Sequence, residues 1–376
     1  MNRGNPSRTL VQKSQGMTTK PCDAESLRKW QSKGVVSDVL DARLQFMEAE
    51  GIARYVRALI KKNVTRVHPN MLPTQASGRW STTNPPLVNF PKHSPEQCAR
   101  CRREGKELWC PRDVRRIFLP DAGSWWLHFD KDAIEARISA ALCGDVEDLT
   151  AFDNHWDIHT LTACQVFGWA LPPIKTKLYH TDPSCEAWRQ SIGWGGEDDR
   201  RRHLVKTLRY ALQYALDEKG ALQSHELFKL GLTRQEVLKF ARKYLAAKPR
   251  LVATKRRVWE EALRTGVSYT VLGRRRRLFG SPHDKMKVAW SHMISGTVTD
   301  MVNSDLIQIT TQFPECHLVL NSHDGLTISF PQTFIPSEVM SIVKPITERS
   351  WQIGNLSMLS PCTWEFLWPD GTVTRP

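Results

Sequence analysis

The sequence predicts an α+β fold, with two separated sets of strands bracketing a long helical stretch. Three observations carry that reading. Trp125-Trp-Leu-His-Phe-Asp130 is an apolar run of strand length that ends in a carboxylate. Leu318-Val-Leu-Asn-Ser-His323-Asp324-Gly325-Leu-Thr-Ile-Ser-Phe330 is two strand-like runs about a polar turn, and the turn holds a second carboxylate. Residues 200–218 contain no Gly or Pro and place Arg202, Lys206, Tyr210 and Tyr214 at four-residue intervals, which keeps them along one helical face.

Residues 1–24 are polar without an apolar period and are expected to form a disordered tail. Residues 25–62 carry helical spacing through Leu40, Leu44, Met47, Ile52, Tyr55, Val56 and Ile60. Residues 63–97, rich in Pro, Thr, Ser and Asn, read as extended or looped, and 98–116 as a Cys- and Arg-dense insert. A strand over 125–130 leads into a helix from Ala133 to Leu142. Another helix opens at Asp148 to Phe152, and a third runs from Ile158 to Phe167. Residues 169–199 mix Pro, Gly and Trp without a period and read as an irregular insertion. The helix over 200–218 follows, then helices filling 233–264, a strand and turn at Tyr269–Arg277 and a helix over 284–311. Strands 317–321 and 326–330, a helix over 336–351 and a last strand over 362–367 complete the order.

Lys and Arg outnumber Asp and Glu by 53 to 39, a net charge of +14, which favours polyanions such as nucleic acid or an anionic membrane; the alternative is a merely soluble basic surface. No apolar run is long enough to span a membrane, and Met1 to Cys22 lacks the apolar centre of a signal peptide. Nine cysteines in 376 residues without an even framework point to a reducing, cytoplasmic compartment.

Two carboxylates brought together can hold two magnesium ions, which prefer hard oxygen ligands and can serve the attacking and the leaving oxygen of a phosphoryl transfer. Asp130 and Asp324 are the candidates, each ending or interrupting an apolar strand. Each also has a plainer reading: Asp130 can cap the helix that follows, and Asp324-Gly325 can be a common hairpin turn. Arg202 and Lys206 supply charge for phosphates, with Tyr210 and Tyr214 beyond them to stack on bases; the alternative is a solvated basic helix with its tyrosines in the core. Gly273 and the four arginines after it read as a phosphate-contacting or merely charged turn. Cys98, Cys101 and Cys110, with His93 as a fourth donor, make a structural zinc site or free thiols on a basic loop.

These residues resemble a known family, the family A DNA polymerases of bacterial DNA polymerase I and its phage relatives. Asp130-Lys-Asp-Ala-Ile-Glu-Ala-Arg137 is similar to motif A (DYSQIELR), Arg202-x3-Lys206-x3-Tyr210-x3-Tyr214 to motif B, and His323-Asp324-Gly325 to motif C (His-Asp-Glu). Ser77-Gly-Arg79-Trp and Pro85-Pro-Leu-Val-Asn89-Phe-Pro91 resemble TGRLSS and PNLQNIP. Asp157-Ile-His159 through Val166-Phe-Gly168 resembles DIHxxTAxxVFG, Gly273-Arg-Arg-Arg276 resembles FGRRR, and Ile294-Ser-Gly-Thr-Val-Thr-Asp300 resembles QGTAAD. The matches occur in the family's order and cover about residues 36 to 368.

The resemblance implies a right-hand polymerase fold with an antiparallel palm sheet, helical fingers and a shortened helical thumb. The implied divisions are a tail at 1–24, thumb or connecting helices at 25–62, a first palm part at 63–157 with the Cys-rich insert at 92–116, fingers at 158–265 and a second palm part at 266–376. It implies template-directed addition of deoxynucleoside triphosphates to a primer 3′ end, with Asp130, Asp324 and the Lys131 carbonyl holding two Mg2+. His159, Arg202 and Lys206 would hold the triphosphate, and Lys206 could protonate the leaving pyrophosphate. Glu135 would bar a ribose 2′-hydroxyl, and Tyr210 would lie under the sugar and base. Arg79, Tyr214, Arg274, Arg275, Lys287, Ser291, Ser295 and His323 would contact primer–template DNA. A proofreading exonuclease is not expected, because the stretch ahead of Ser77 is shorter than a typical domain. The short thumb suggests reliance on a processivity partner, and the compact form suggests a phage or mobile-element source acting in a bacterial host.

The chain departs from the family in three places. Gly325 stands for the motif C Glu, Ala211 and Ala215 for two motif B glycines, and Lys287, Ser291 and Ser295 for Arg, Asn and Gln. A single-subunit RNA polymerase is the nearest alternative, and Glu135 and Tyr210 argue against it. A non-catalytic factor that binds primed DNA is the other, with Gly325 and the short thumb in its favour.

Overall fold

The computed structural model describes residues 38–62, 65–73, 77–89, 117–194, 200–215, 217–223 and 232–376, with 27, 75 and 227. The tail at 1–24 and the Cys-rich insert, with His93, Cys98, Cys101 and Cys110, lie outside the described residues.

Helix α1 (Asp38–Lys62) precedes a small antiparallel pair, β1 (Asn70–Leu72) and β2 (Ser81–Thr83). The strand β3 (Ser124–Lys131) buries Trp125, Leu127, Phe129 and Lys131 on one face and turns Trp126, His128 and Asp130 to the other. That alternation is the period of a half-buried strand, which is why the apolar run could be recognised. Helices α2 (Ile134–Cys143), α3 (Val146–Asp153) and α4 (Ile158–Phe167) follow. Asp145 and Asp157 cap α3 and α4 by accepting from backbone N–H groups of Asp148 and His159.

The stretch expected to be irregular, 169–199, holds two 3-10 turns and helix α5 (Glu186–Ser191). An aromatic cluster of Tyr179, Trp188 and Trp194 compensates there for the missing period, with ring centroids 5.5 to 5.9 Å apart. Helix α6 (Arg200–Tyr214) ends four residues before the expected 218. The buried Lys255 ammonium donates to the carbonyls of Leu212 (2.5 Å) and Ala215 (3.0 Å), so the helix terminates on a cation from another element. Helices α7 (Arg234–Ala247) and α8 (Pro249–Thr265) fill 233–264, with Pro249 starting the second.

Strands β4 (Val267–Tyr269) and β5 (Arg275–Arg277) form a hairpin around Gly273. Helix α9 (Pro282–Ser291) continues through a π-turn (His292–Gly296) into α10 (Thr297–Gln312), so the single helix expected over 284–311 carries an inserted turn. Gly296 is required here. A Cβ at this position would lie 2.8 Å from Thr270 and 3.1 Å from Arg274.

Strands β6 (His317–Asn321) and β7 (Gly325–Pro331), helix α11 (Pro336–Thr347), the hairpin of β8 (Trp351–Ile353) and β9 (Leu356–Met358), then β10 (Cys362–Leu367) and β11 (Val373–Thr374) close the chain. The helix expected over 336–351 thus stops at Thr347, and its last residue falls in a strand. The main sheet is antiparallel throughout, in the order β11-β10-β3-β7-β6. Its buried face packs Trp125 on Phe330 (5.0 Å, stacked) and Phe330 against Phe313 at the end of α10.

Candidate active site

The centre of the sheet brings the two predicted aspartates together. Asp130 lies opposite Gly325 in the β3–β7 register, and the Lys131 N–H donates to the carbonyl of Asp324 at 3.0 Å. The plainer reading of Asp130 fails locally, while Asp324 does lie in the turn between β6 and β7. Helix α2 is capped by Ala133 in the left-handed region with no side-chain acceptor, so Asp130 does not cap it. In the hairpin it is His323 that takes a positive φ (77°), while Gly325 is already in β7. Gly325 is instead a packing requirement, because a Cβ there would sit 2.1 Å from the Phe129 carbonyl oxygen and 3.0 Å from Asp130 Oδ1. The backbone that seats Asp130 against this hairpin therefore excludes a glutamate at 325.

Beneath Asp130, the Lys131 side chain is wholly buried. Its ammonium pairs with Asp305 on α10 at 2.8 Å and donates to the Thr347 carbonyl at 2.6 Å. Arg349 lies 3.2 Å from the other Asp305 oxygen. Burial pushes the Asp305 carboxyl up to about 6, against the pull of Lys131. The sequence reading missed Asp305 and Arg349, since neither a lone Asp in a helix nor an Arg after one signals a partner 174 residues away (305 − 131).

Glu135, in the first turn of α2, is a junction. It accepts from Arg79 Nη2 (2.6 Å), the Tyr214 hydroxyl (2.6 Å) and the Ser295 hydroxyl (2.8 Å). Burial, then the Glu135 charge, pushes the Tyr214 phenol up, so it stays a proton donor. Ser295 is buried in the π-turn, and its hydroxyl donates to Glu135. Arg274 Nε pairs with Asp300 at 2.5 Å and its Nη2 donates to the carbonyls of Ser77 and Gly296, so it ties the loop before β2 to the π-turn. Arg275 and Lys287 are exposed, and Ser291 and His323 half-buried. Burial, then the Arg79 charge, lowers the His323 pKa.

Helix α6 buries Leu204, Val205, Leu208 and Leu212 and leaves Lys206 exposed and Tyr210 55% exposed, so Tyr210 is not a core residue. The His159 ring lies 6.1 Å from that of Tyr210. Burial lowers the His159 pKa to about 3, with Arg209, Arg202 and Lys206 adding to the shift against Asp157. His159 is therefore neutral at pH 7 and could meet an anion only through a ring N–H. Arg202 is held by Asp157 through two bonds, Nε to Oδ2 at 2.6 Å and Nη2 to Oδ1 at 3.0 Å. Burial raises the Asp157 pKa, but hydrogen bonds and charge from Arg202, with Tyr179 and His159, overcome it and hold the carboxyl well below the usual range. The sequence contained Asp157 only as part of a motif and gave no sign of this pairing.

Among the described residues, no group of three or more His, Cys, Asp or Glu converges as a ready-made metal cage. Two carboxylates at one sheet end suit a hard cation that draws its other oxygen ligands from water and substrate phosphates, as magnesium does. Among the described residues no helix is long and apolar enough to cross a membrane.

The sequence model described as DNA polymerase family A matches residues 5–179. A thermostable DNA polymerase I of Thermus caldophilus is 24% identical over 358 residues, covering 93% of this chain and 38% of its own length. The DNA polymerase I of Bacillus subtilis (strain 168) is 25% identical over 314 residues, covering 78% of this chain and 31% of its own. The chain thus spans well under half the length of these curated relatives. Among solved structures, the POL domain of Pol1 from M. smegmatis, in complex with DNA primer-template and dNTP, superimposes with a TM-score of 0.71 at 20% identity. That match covers 99% of this chain and 61% of the other. The fold described above is that of this right-hand polymerase domain.

Proposed function

We propose that this chain is the polymerase domain of a family A DNA polymerase and extends a primer 3′ end on a DNA template with deoxynucleoside triphosphates, a reading supported by the family-model match to residues 5–179 and by the shared fold. The observation that carries the reading is the pairing of Asp130 with the Asp324 hairpin at the open end of the central sheet. In this reading β3, β6, β7 and β10 are the palm, 158–265 the fingers and α1 a shortened thumb.

Each residue's part follows from its setting. Asp130 and Asp324, with the Lys131 carbonyl, would hold Mg2+, which when bound lowers the cost of charge on the attacking and leaving oxygens. Lys131 ties β3 to Asp305 on α10 and to the end of α11, beside Asp130. Arg202 and Lys206 supply fixed positive charge for a triphosphate, and neutral His159 supplies a hydrogen bond. Lys206, exposed on α6, would give a proton to departing pyrophosphate. Glu135, held by three donors, would bar a ribose 2′-hydroxyl. Tyr210 offers an open ring face to a sugar and base. Arg79 and His323 border the primer end, and Arg275, Lys287 and Ser291 face duplex DNA.

The test is primer extension with deoxy- and ribonucleoside triphosphates in parallel. Wild type is expected to incorporate deoxynucleotides and to discriminate against ribonucleotides, and Glu135→Ala to lose that discrimination. Equal use of both by wild type would favour an RNA polymerase. One observation favours a non-catalytic reading, the lack of room for a carboxylate side chain at 325. Primer binding without extension would establish it.

A further inference from the structure

The insertion at 169–194 meets Asp157 twice, through the Lys175 carbonyl, which accepts from the Asp157 backbone N–H at 2.7 Å, and through the Tyr179 phenol, which reaches its carboxylate. Tyr179, fully buried, places its hydroxyl 2.8 Å from Asp157 Oδ2 and 2.6 Å from the Thr160 hydroxyl, which is itself 3.0 Å from Asp157. The same carboxylate, 2% exposed, holds the Arg202 fork and accepts from the His159 N–H at 3.3 Å. The Tyr179 ring is held in turn. It packs edge-on against Trp188 (5.6 Å) and Trp194 (5.5 Å), and its carbonyl accepts from Arg189 at 2.7 Å. Arg201, beside Arg202, donates to the Ile192 and Gly193 carbonyls and lies over the Trp169 ring, so the insertion also grips the first turn of α6.

We infer that this insertion is a positioning element for the incoming nucleotide, with Tyr179 acting through Asp157 to fix the Arg202 guanidinium. The inference rests on the polymerase reading for the ligand's identity, a nucleoside triphosphate. A guanidinium has five N–H donors in a fixed fork, and Asp157 takes two of them, so the carboxylate sets the plane in which the remainder meet a phosphate. A buried carboxylate left with fewer donors shifts to recover them. Losing the phenol hydroxyl therefore turns Asp157, and Arg202 with it.

Tyr179→Phe keeps the ring in its aromatic cluster and removes only the hydroxyl, and Thr160→Val removes the neighbouring one. The readout is the Kd of the next correct dNTP, with Mg2+, for protein bound to a dideoxy-terminated primer–template, so no turnover is needed. Each variant is expected to weaken dNTP binding about fivefold, the scale of one buried hydrogen bond. The Kd for primer–template should not change. In an Arg202→Ala background, Tyr179→Phe should add nothing further. Unchanged dNTP affinity in both variants overturns the inference, as does a full additional loss in the Arg202→Ala background or no dNTP binding by wild type. Failure of the polymerase reading has a different appearance: wild type then binds the triphosphate, weakened by Tyr179→Phe, yet extends no primer.

Discussion

Gly325 illustrates how much a single side chain can decide. It faces Asp130 across β3 and β7 so closely that even an alanine would press on the Phe129 carbonyl at 2.1 Å. Gly325→Ala is expected to lower stability by about 1–3 kcal/mol, the cost of overpacking, read as a lower urea midpoint; an unchanged midpoint would show that the hairpin yields freely. His159 makes a second residue-scale prediction. Its folded pKa, about 3, lies below its ordinary 6.5, so between those values the unfolded chain binds a proton that the folded one does not. The His159 contribution to stability is thus fully present above pH 6.5 and is lost as pH falls toward 3. His159→Gln should flatten the fall in urea midpoint between pH 7 and pH 5, and an identical pH profile in the variant would remove this account.

Elements reached by local pattern were legible; those made by distant partners were not. The alternation of β3 and the gap-free run of α6 gave both elements to within a few residues, because each depends on its own period. The end of α6 did not follow from its sequence, since the cap comes from Lys255 on α8. Burial lowers that ammonium's pKa to about 8. Lys255→Met should fray the helix and cost about 1–3 kcal/mol for the carbonyls left unpaired. Amide exchange at 208–215 checks this, with faster exchange expected in the variant and unaltered exchange counting against the cap. The insertion at 169–194 was illegible for a related reason: aromatic packing orders it, and rings leave no periodic trace. Strands β8 and β9 were missed because three residues are too few to show alternation.

At the scale of the molecule, the net charge of +14 and the paired aspartates make complementary demands on one ligand. A basic surface draws nucleic acid, and the carboxylates tolerate phosphate only with cations between them. Primer–template affinity should fall with salt, with a log–log slope steeper than about −3; a flat salt response would mean that the excess charge lies away from the DNA. The convergence of Asp130 and Asp324 could be read from motif order, while the Asp157–Arg202 fork and the Lys131–Asp305 pair could not, because ion-pair partners far apart in sequence leave no spacing to read. The most direct test of the central claim is single-turnover extension of a primed DNA template by wild type, Asp130→Asn and Asp324→Asn, with folding of each checked by thermal melting. Wild type should add the templated deoxynucleotide and each folded variant should be slower by about 10³-fold or more. Extension by either variant at the wild-type rate would contradict it.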